Sequence, residues 1–249
     1  MKCILLCAGY ATRLFPLTKN FPKPLLKVGD RPIIDYIIDE VNTIDEIDKI
    51  YIITNDRYFE HFENWKNLKD NEKEIEVVND NTTSNDDRLG AIGDMRFVIK
   101  NKNVDDDLMV IAGDNLFEFK LKNMMNFYKN KKAPCVAAQY IEDLNLLKRF
   151  GVGKIDENNK LLNIVEKPEV PESNIGVWAT YIYPKSILPY FDKYFEDGNK
   201  ADSPGNFVQY LHKKEDVYLY MFDEACYDVG TYETLEEVHN LYVKRNNKI

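Results

Sequence analysis

The sequence predicts an α/β protein built on a doubly wound, mixed β-sheet, with a β-rich lobe toward its C-terminus. Short apolar runs alternate with segments of helical periodicity over residues 1–140, and apolar runs then follow one another more closely over residues 141–249. Alternating strands and helices are typical of a sheet covered by helices on both faces. The length of 249 residues suits one large domain.

Five strands and the helices between them are predicted in the first part of the chain. The N-terminal run KCILLC is apolar except for its lysine, as expected of a strand buried on both faces. Ile33, Ile37 and Val41 share the spacing of one helix face. The predicted strands are residues 2–7, 49–54, 75–78, 108–112 and 135–140, and the predicted helices are residues 33–44, 58–68, 91–100 and 121–131.

The second part is predicted to begin with a β-hairpin around the polar turn DENN and to end with a long helix. Thr231 is expected to cap that helix at its N-terminus. The predicted strands are residues 150–155, 161–166, 177–183, 217–222 and 226–229, and the predicted helices are residues 185–194, 205–213 and 231–246. In sheets of this kind, ligands bind beyond the carboxyl ends of the strands.

Composition excludes several classes of function. A formal net charge of -9 argues against a general nucleic-acid binder. No apolar run approaches the about 18 residues that span a bilayer, so no membrane association is expected. The apolar run after Met1 is too short for a signal peptide, and its Pro-rich continuation is wrong for a cleavage region. Four cysteines without a CxxC pair fit a reducing, cytoplasmic setting.

One stretch, LCAGYATRLFPLTKNFPKPL at residues 6–25, is purely cationic in this acidic chain. Gly9 allows a ligand to approach without meeting a Cβ, and backbone N–H groups of such a loop can point at phosphate oxygens. Arg13 adds a planar cationic fork, and two prolines hold Lys23 in a stiff frame. These features suit a polyphosphate. The stretch is not a Walker loop, because GxxxxGK[ST] is absent. GxGxxG is absent as well, which disfavours a nicotinamide oxidoreductase.

Carboxylates at predicted strand ends complement this basic stretch. Asp114 follows the strand LMVIA and a glycine, where a hard oxygen ligand suits Mg²⁺. Asp228 lies in a short apolar strand, where it needs a partner such as a metal ion. Glu166 and Lys167 end a hairpin strand, where an acid and a base could hold a hydroxyl and a phosphate. A turn residue, a cap and exposed ion pairs remain the simpler alternatives for these four residues.

The stretch LCAGYATRLFPLTKNFPKPLLKVGDRPII resembles the signature of sugar-1-phosphate nucleotidyltransferases, a family that includes glucose-1-phosphate thymidylyltransferases. Later segments match further motifs of the family in the same order, so the resemblance covers nearly the whole chain. Cys7 and Ala11 depart from the pattern, which has small residues and a second glycine there. The later matching segments are AGDN at 112–115, RFGV at 149–152, VEKP at 165–168 and YDVGT at 227–231.

The resemblance implies a Rossmann-like nucleotidyltransferase fold, with residues 1–140 binding the nucleotide and residues 141–249 binding the acceptor and ending in a helix. It implies Mg²⁺-dependent transfer of a nucleotidyl group from UTP, dTTP or CTP to a sugar 1-phosphate, releasing pyrophosphate. The implied site residues are Arg13 and Lys23 for catalysis, Leu6, Ala8, Gly9 and Gly90 for the nucleotide, Gly151, Glu166 and Lys167 for the acceptor, and Asp114 and Asp228 for the metal.

The nucleobase, the function beyond the family resemblance and the oligomeric state stay open at the level of sequence. The segment at 79–94 matches neither the thymidylyl nor the guanylyl pattern, which leaves the base undecided. A cytidylyltransferase acting on a non-sugar phosphate such as phosphocholine is therefore one alternative. A catalytically silent, nucleotide-sugar-binding regulatory homologue is another. The oligomeric state, a homo-oligomer included, is also undetermined.

Overall fold

A mixed β-sheet with helices on both faces organises residues 1–246, the part of the chain that the computed structural model describes. The strands are β1 (Lys2–Leu6), β2 (Lys27–Val28), β3 (Arg31–Pro32), β4 (Lys49–Thr54), β5 (Glu74–Asn79), β6 (Leu108–Ala112), β7 (Asn115–Phe117), β8 (Cys135–Tyr140), β9 (Gly151–Ile155), β10 (Leu161–Glu166), β11 (Ile175–Tyr183), β12 (Tyr218–Met221) and β13 (Cys226–Asp228). The α-helices are α1 (Ile33–Asn42), α2 (Phe59–Asn67), α3 (Ala91–Asn101), α4 (Leu121–Lys131), α5 (Leu144–Leu147), α6 (Leu188–Glu196), α7 (Pro204–Leu211) and α8 (Tyr232–Asn246).

Nine of the described strands join in one sheet. Its main path runs β10-β9-β11-β6-β1-β4-β5, and β8 and β12 extend it from β11. Strands β6, β1, β4 and β5 are parallel, whereas β11 is antiparallel to β6, β8 and β9. The predicted mixed α/β sheet is thus confirmed. Strands β9 to β12 of the second part continue the same sheet, whereas β13 pairs with β7 outside it. The functional division at residue 140 stays a prediction.

The two faces of the sheet bury separate apolar clusters. In β1, Cys3 and Leu5 pack toward α1, α2, α4 and α8, whereas Ile4 packs toward α3, α6 and α7. Because side chains alternate along a strand, an entirely apolar strand supplies both faces at once. This explains why the continuous apolar runs predicted at residues 49–54, 108–112 and 135–140 match the observed strands.

A short strand pair that the sequence does not predict brings two distant segments together. Strand β7, directly after the Gly113–Asp114 pair, is antiparallel to β13, with Asn115 opposite Asp228. Strand β13 falls within the predicted strand 226–229, but β7 was not predicted, because three residues are too few to give a recognisable alternation. Through this pairing, Asp228 lies beside the carboxyl end of β6.

Helix α8 begins as predicted, and none of the helices resembles a membrane span. The hydroxyl of Thr231 accepts a hydrogen bond from the backbone N–H of Thr234 at 3.3 Å, which is the N-cap role expected of it. Within residues 1–246, each helix lacks the length or the apolar character that crossing a bilayer requires.

The basic loop after β1 is anchored from below by buried side chains. Tyr58 is fully buried and donates a hydrogen bond to the carbonyl oxygen of Thr18 at 2.6 Å. The hydroxyl of Thr18 in turn donates to the carbonyl oxygen of Ala11 at 2.8 Å, and Nδ2 of Asn55 donates to that of Ala8 at 2.9 Å. Buried acceptors without donors are costly, so these bonds fix the path of the loop.

Tyr58→Phe should lower the free energy of unfolding by about 1–3 kcal/mol, because it leaves the buried Thr18 carbonyl without its tyrosine donor. Urea denaturation would measure the change. The matched control is Tyr232→Phe, at an exposed tyrosine on α8, which should alter stability by less than about 0.5 kcal/mol. Equal effects of the two substitutions would show that the Tyr58 hydroxyl does not anchor the loop.

Candidate active site

A cavity of about 120 Å³ lies at the carboxyl edge of the parallel strands, between the basic loop and the end of β6. The polar groups and backbone that reach it come from separate segments of the chain. The lining residues are Leu6, Cys7, Gly9, Ala11, Arg13, Lys23, Pro24, Asp114 and Gly230. Five residues predicted from the sequence therefore share one cavity: Leu6, Gly9, Arg13, Lys23 and Asp114.

The centre of the site is a lysine held between two carboxylates. Nζ of Lys23 lies 2.9 Å from Oδ2 of Asp114 and 3.8 Å from Oδ1 of Asp228. The Lys23 side chain is only 6% exposed, and an ammonium group buried to this degree needs anionic partners. The structure therefore brings together three residues that were selected from the sequence for separate roles: Lys23, Asp114 and Asp228.

The donor set at this position fits a hard divalent cation. The two carboxylates are about one third exposed; Asp114 lines this cavity and Asp228 lines a neighbouring one. Among residues 1–246, no cluster of three or more His, Cys, Asp and Glu side chains could hold a metal ion alone. A Mg²⁺ ion here would therefore take its remaining ligands from water and phosphate oxygens, which is how Mg²⁺ is usually bound.

The basic loop presents Arg13 at the rim of the cavity. Arg13 is exposed and lies in the single 3-10 turn Thr12–Leu14. A Cβ added to Gly230 would lie 3.2 Å from its guanidinium and equally close to Asp228. The absence of a side chain at residue 230 thus leaves room for Arg13 and Asp228 to approach each other across the rim.

Two small residues shape the loop in different ways. Gly9 is exposed, and a Cβ there would meet no protein atom within 4 Å, so the space beside it is open to a ligand. Ala11 has φ 45° and ψ 45°, the left-handed region that glycine adopts at lower cost. Ala8, predicted to line the nucleotide, is buried and contributes its carbonyl oxygen to Asn55.

The three predicted acceptor residues form a second cluster on neighbouring strands. Gly151 and Glu166 are paired across β9 and β10, and a Cβ at residue 151 would lie 2.9 Å from Oε2 of Glu166. Burial raises the pKa of the Glu166 carboxyl, partly offset by the charge of Lys167 and a hydrogen bond from Ser203. Lys167 is exposed, and its Nζ lies 3.8 Å from Oε1 of Glu166.

Arg149, which the sequence analysis did not select, connects the two clusters. One guanidinium nitrogen of Arg149 lies 3.6 Å from Oδ2 of Asp228. Arg149 precedes β9 by only Phe150, so the strand that carries Gly151 also brings a cation to the carboxylate centre. Its place in the RFGV motif was the available signal.

A larger cavity of about 340 Å³ adjoins Asp228 on the other side from Lys23. Aromatic rings and acidic groups are prominent in its wall. Among its lining residues are Tyr140, Phe150, Trp178, Tyr227, Asp228 and Glu237, with Arg149 also present. The rings of Phe150 and Trp178 lie 4.8 Å apart, and the buried Nε1 of Trp178 has no hydrogen-bond partner.

Gly90 lies apart from both cavities, at the start of α3. Its φ of 76° requires a glycine-like backbone, and a Cβ there would lie 2.8 Å from the carbonyl oxygen of Ala201. The structure therefore gives Gly90 a clear packing role. Its predicted contact with the nucleotide stays a prediction.

Asp80 and Asp94 carry two buried carboxyl groups near the start of α3, and the sequence did not indicate them as site residues. Each residue is at most 5% exposed, and Oδ2 of Asp80 and Oδ1 of Asp94 have no donor. Burial and their mutual interaction raise the pKa of Asp94 well above its usual range, and burial raises that of Asp80. Two adjacent buried carboxylates do not both ionise readily, so their burial side by side favours the protonated form.

Comparisons with known proteins agree with this architecture. The nucleotidyl transferase family model matches residues 2–245. The bifunctional protein GlmU of Methanocaldococcus jannaschii is 31% identical over 253 residues, covering 100% of this chain and 56% of that protein. The chain spans about half the length of the curated relatives it matches first.

Solved structures share the fold. A UDP-glucose pyrophosphorylase in complex with UDP-glucose superposes with a TM-score of 0.83 at 23% identity, covering 98% of each chain. A UTP-bound UGPase from Acinetobacter baumannii gives a TM-score of 0.79 at 21% identity, covering 99% of this chain and 97% of that one. With the family match over residues 2–245, we conclude that this chain belongs to the nucleotidyl transferase family.

Proposed function

We propose that the chain transfers a nucleotidyl group from a nucleoside triphosphate to a sugar 1-phosphate, giving a nucleotide sugar and pyrophosphate. The observation that carries this proposal is the Lys23 ammonium flanked by Asp114 and Asp228 beside a cavity with Arg13 at its rim. The acceptor cluster is joined to this centre by Arg149. Family membership supports the same reaction class.

In the proposed reaction, a phosphate oxygen of the acceptor attacks the α-phosphorus of the triphosphate. The bond from the α-phosphorus to the bridging oxygen breaks, and pyrophosphate leaves with that electron pair. The acceptor phosphate is already an anion, so neither a covalent enzyme intermediate nor a strong base is required. Positioning and charge neutralisation then supply most of the catalysis.

The cationic side chains divide this work by their positions. Arg13, exposed at the rim, is placed to bind the β- and γ-phosphates and to stabilise the departing pyrophosphate. Lys23, inside the cavity, is placed to contact the α-phosphate and the attacking oxygen. The backbone at Gly9 borders open space, which allows the triphosphate to lie against the loop.

Asp114 and Asp228 would hold the Mg²⁺ ion. When bound, the ion would neutralise phosphate charge that these carboxylates would otherwise repel. The Lys23 ammonium lies beside both carboxylates, so a cation, the carboxylates and the proposed phosphate site are close together.

Glu166 and Lys167 are proposed to bind the acceptor. The Glu166 carboxylate can accept hydrogen bonds from sugar hydroxyl groups, and the exposed Lys167 ammonium can bind the phosphate. The relatives solved with UTP and with UDP-glucose favour a pyrimidine nucleotide and a hexose phosphate as first candidates. dTTP and CTP remain within the proposed set of triphosphates.

Phosphocholine is a second candidate acceptor because of the larger cavity beside Asp228. Aromatic faces and acidic groups together bind quaternary ammonium ions by cation–π and charge interactions. Phe150, Trp178 and Tyr227 supply such faces, and Asp228 and Glu237 supply the charges. A cytidylyltransferase acting on phosphocholine would place its headgroup here and its phosphate toward Lys23.

A matrix of five nucleoside triphosphates against sugar 1-phosphates and phosphocholine, scored by pyrophosphate release with Mg²⁺, tests the function. We expect turnover with a pyrimidine triphosphate and a hexose 1-phosphate. Turnover only with CTP and phosphocholine would favour the second candidate. No turnover with any pair, by a folded protein, would contradict the proposed function and support a silent homologue.

Arg13→Ala and Asp114→Asn should each lower kcat by about 10²–10³-fold, because the first removes a cation that faces the phosphates and the second removes a carboxylate that would hold Mg²⁺. Asp114→Asn should also raise the Mg²⁺ concentration needed for half-maximal rate. The matched control for Asp114 is Asp216→Asn, at an exposed carboxylate paired with Lys160, which should leave kcat within twofold. A folded Asp114→Asn variant with wild-type kcat and wild-type Mg²⁺ dependence would rule out the metal-binding role.

The rate should fall at acid pH through Glu166. The pKa of Glu166 in the folded state lies above the usual value of 4.5. Protonation of Glu166 therefore contributes stability that is fully present below pH 4.5 and is lost as the pH rises through the folded-state pKa. Acceptor binding needs the ionised form, so kcat/KM for the acceptor should drop as pH falls through that raised pKa. In Glu166→Gln this acid limb should disappear; if the limb persists unchanged, Glu166 is not its source.

A further inference from the structure

Five consecutive residues, Ala201 to Gly205, contact both the start of α3 and the Glu166–Lys167 pair. We call them the bridge segment. They follow α6 and extend into the first turn of α7, far in sequence from both α3 and the Glu166–Lys167 pair. A single short segment therefore contacts the predicted nucleotide region on one side and the predicted acceptor residues on the other.

The first half of the bridge segment fixes the beginning of α3. The carbonyl oxygen of Ala201 accepts a hydrogen bond from the backbone N–H of Ile92 at 3.0 Å. A guanidinium nitrogen of Arg88 donates to Oδ2 of Asp202, also at 3.0 Å. Gly90 packs directly against Ala201 and Asp202, without space for a side chain.

The second half of the bridge segment contacts the acceptor residues. Nζ of Lys167 donates a hydrogen bond to Oγ of Ser203 at 3.2 Å. The same hydroxyl lowers the pKa of the Glu166 carboxyl, against the effect of burial, which raises it. A Cβ at Gly205 would overlap Oε2 of Glu166, so the carboxylate lies directly over the first turn of α7.

Ser203 occupies a position where the hydroxyl of a serine usually caps a helix. It is the N-cap residue of α7, yet its side chain makes no capping hydrogen bond. Serine at an N-cap normally accepts from a backbone N–H in the first turn, and this stabilises the helix. Here the hydroxyl is directed to Lys167 and Glu166 instead.

The backbone at this contact is also unfavourable on both sides. Ser203 has φ 60° and Lys167 has φ 48°, and neither is a glycine. The left-handed region is disfavoured for such residues, and isolated examples concentrate at functional sites. The side chains of two strained residues are thus in contact, and at the same place α7 lacks a side-chain N-cap.

We propose that Ser203 is a positioning residue of the acceptor site, where its hydroxyl holds the Lys167 ammonium and the Glu166 carboxylate in the arrangement that receives the phosphorylated acceptor. The proposal rests on the proposed function for the identity of the acceptor. Because Ala201 and Asp202 brace α3 separately, loss of the Ser203 hydroxyl should affect the acceptor and leave nucleotide binding intact.

The test compares Ser203→Gly, Ser203→Asn and the wild type. Glycine removes the hydroxyl but accepts φ 60° without strain, so the variant should fold. Asparagine tolerates this backbone and can restore a hydrogen bond to Lys167. The matched control is Ser186→Gly, at an exposed serine in the turn Lys185–Ile187. This turn lies at the opposite edge of the sheet, where the backbone N–H of Lys185 donates to Asp107.

With glucose 1-phosphate as the probe, Ser203→Gly should raise the acceptor KM about tenfold, since it removes a hydrogen bond to charged groups. The KM for the triphosphate and kcat should stay within twofold of wild type. Ser203→Asn should recover part of the acceptor KM, and Ser186→Gly should change neither constant. An unchanged acceptor KM in Ser203→Gly overturns the proposal, as does an equal rise in the KM for the triphosphate.

A second readout does not depend on turnover. Reductive methylation of Lys167, followed by peptide mass spectrometry with Lys154 as internal reference, reports how firmly its ammonium is held. Glucose 1-phosphate should protect Lys167 in the wild type, and Ser203→Gly should lose that protection. Retained protection in the variant, or none in the wild type, overturns the proposal. A wild type that is protected but catalyses no reaction contradicts the proposed function alone.

Discussion

The buried ammonium of Lys23 and its two carboxylate partners are the interaction on which the rest of the site depends. A lysine side chain that is 6% exposed requires anionic neighbours, and they must come from separate parts of the chain. Asp114 arrives at the end of β6, and Asp228 arrives through the pairing of β13 with β7. The basic loop is then held above this centre by Tyr58 and Asn55.

The acceptor cluster is arranged around a second buried charge, that of Glu166. Its carboxylate fills the space left by two glycines, Gly151 and Gly205, so the absence of side chains at those positions decides where the acid can lie. Arg149 ties this cluster to Asp228, and the bridge segment ties it to α3. The acceptor cluster is therefore connected to the carboxylate centre on one side and to α3 on the other.

The sequence predicted the framework well because the relevant signals were local. Strands β4, β6 and β8 are continuous apolar runs buried on both faces, and their predicted limits match the observed ones. The meeting of Lys23 with Asp114 also follows from the rule that ligands bind beyond carboxyl ends of strands. The resemblance to the family supplied the roles.

What the sequence did not predict depends on contacts between distant residues. Strand β7 is only three residues long, too short for a periodic signal, so its pairing with the predicted strand β13 was not expected. Nothing near Ser203 indicates that its hydroxyl would bond to Lys167 in place of capping a helix. Asp80 and Asp94 lie in a segment whose matches to the family left the base undecided, and only the fold shows that both carboxyl groups are buried.

The burial of Asp80 and Asp94 changes how the charge of the molecule should be counted. The formal net charge of -9 treats every carboxyl group as ionised. Burial raises the pKa of both carboxyl groups, so each binds a proton more readily than a solvent-exposed aspartate does. The folded chain therefore tends toward a net charge less negative than its composition alone suggests.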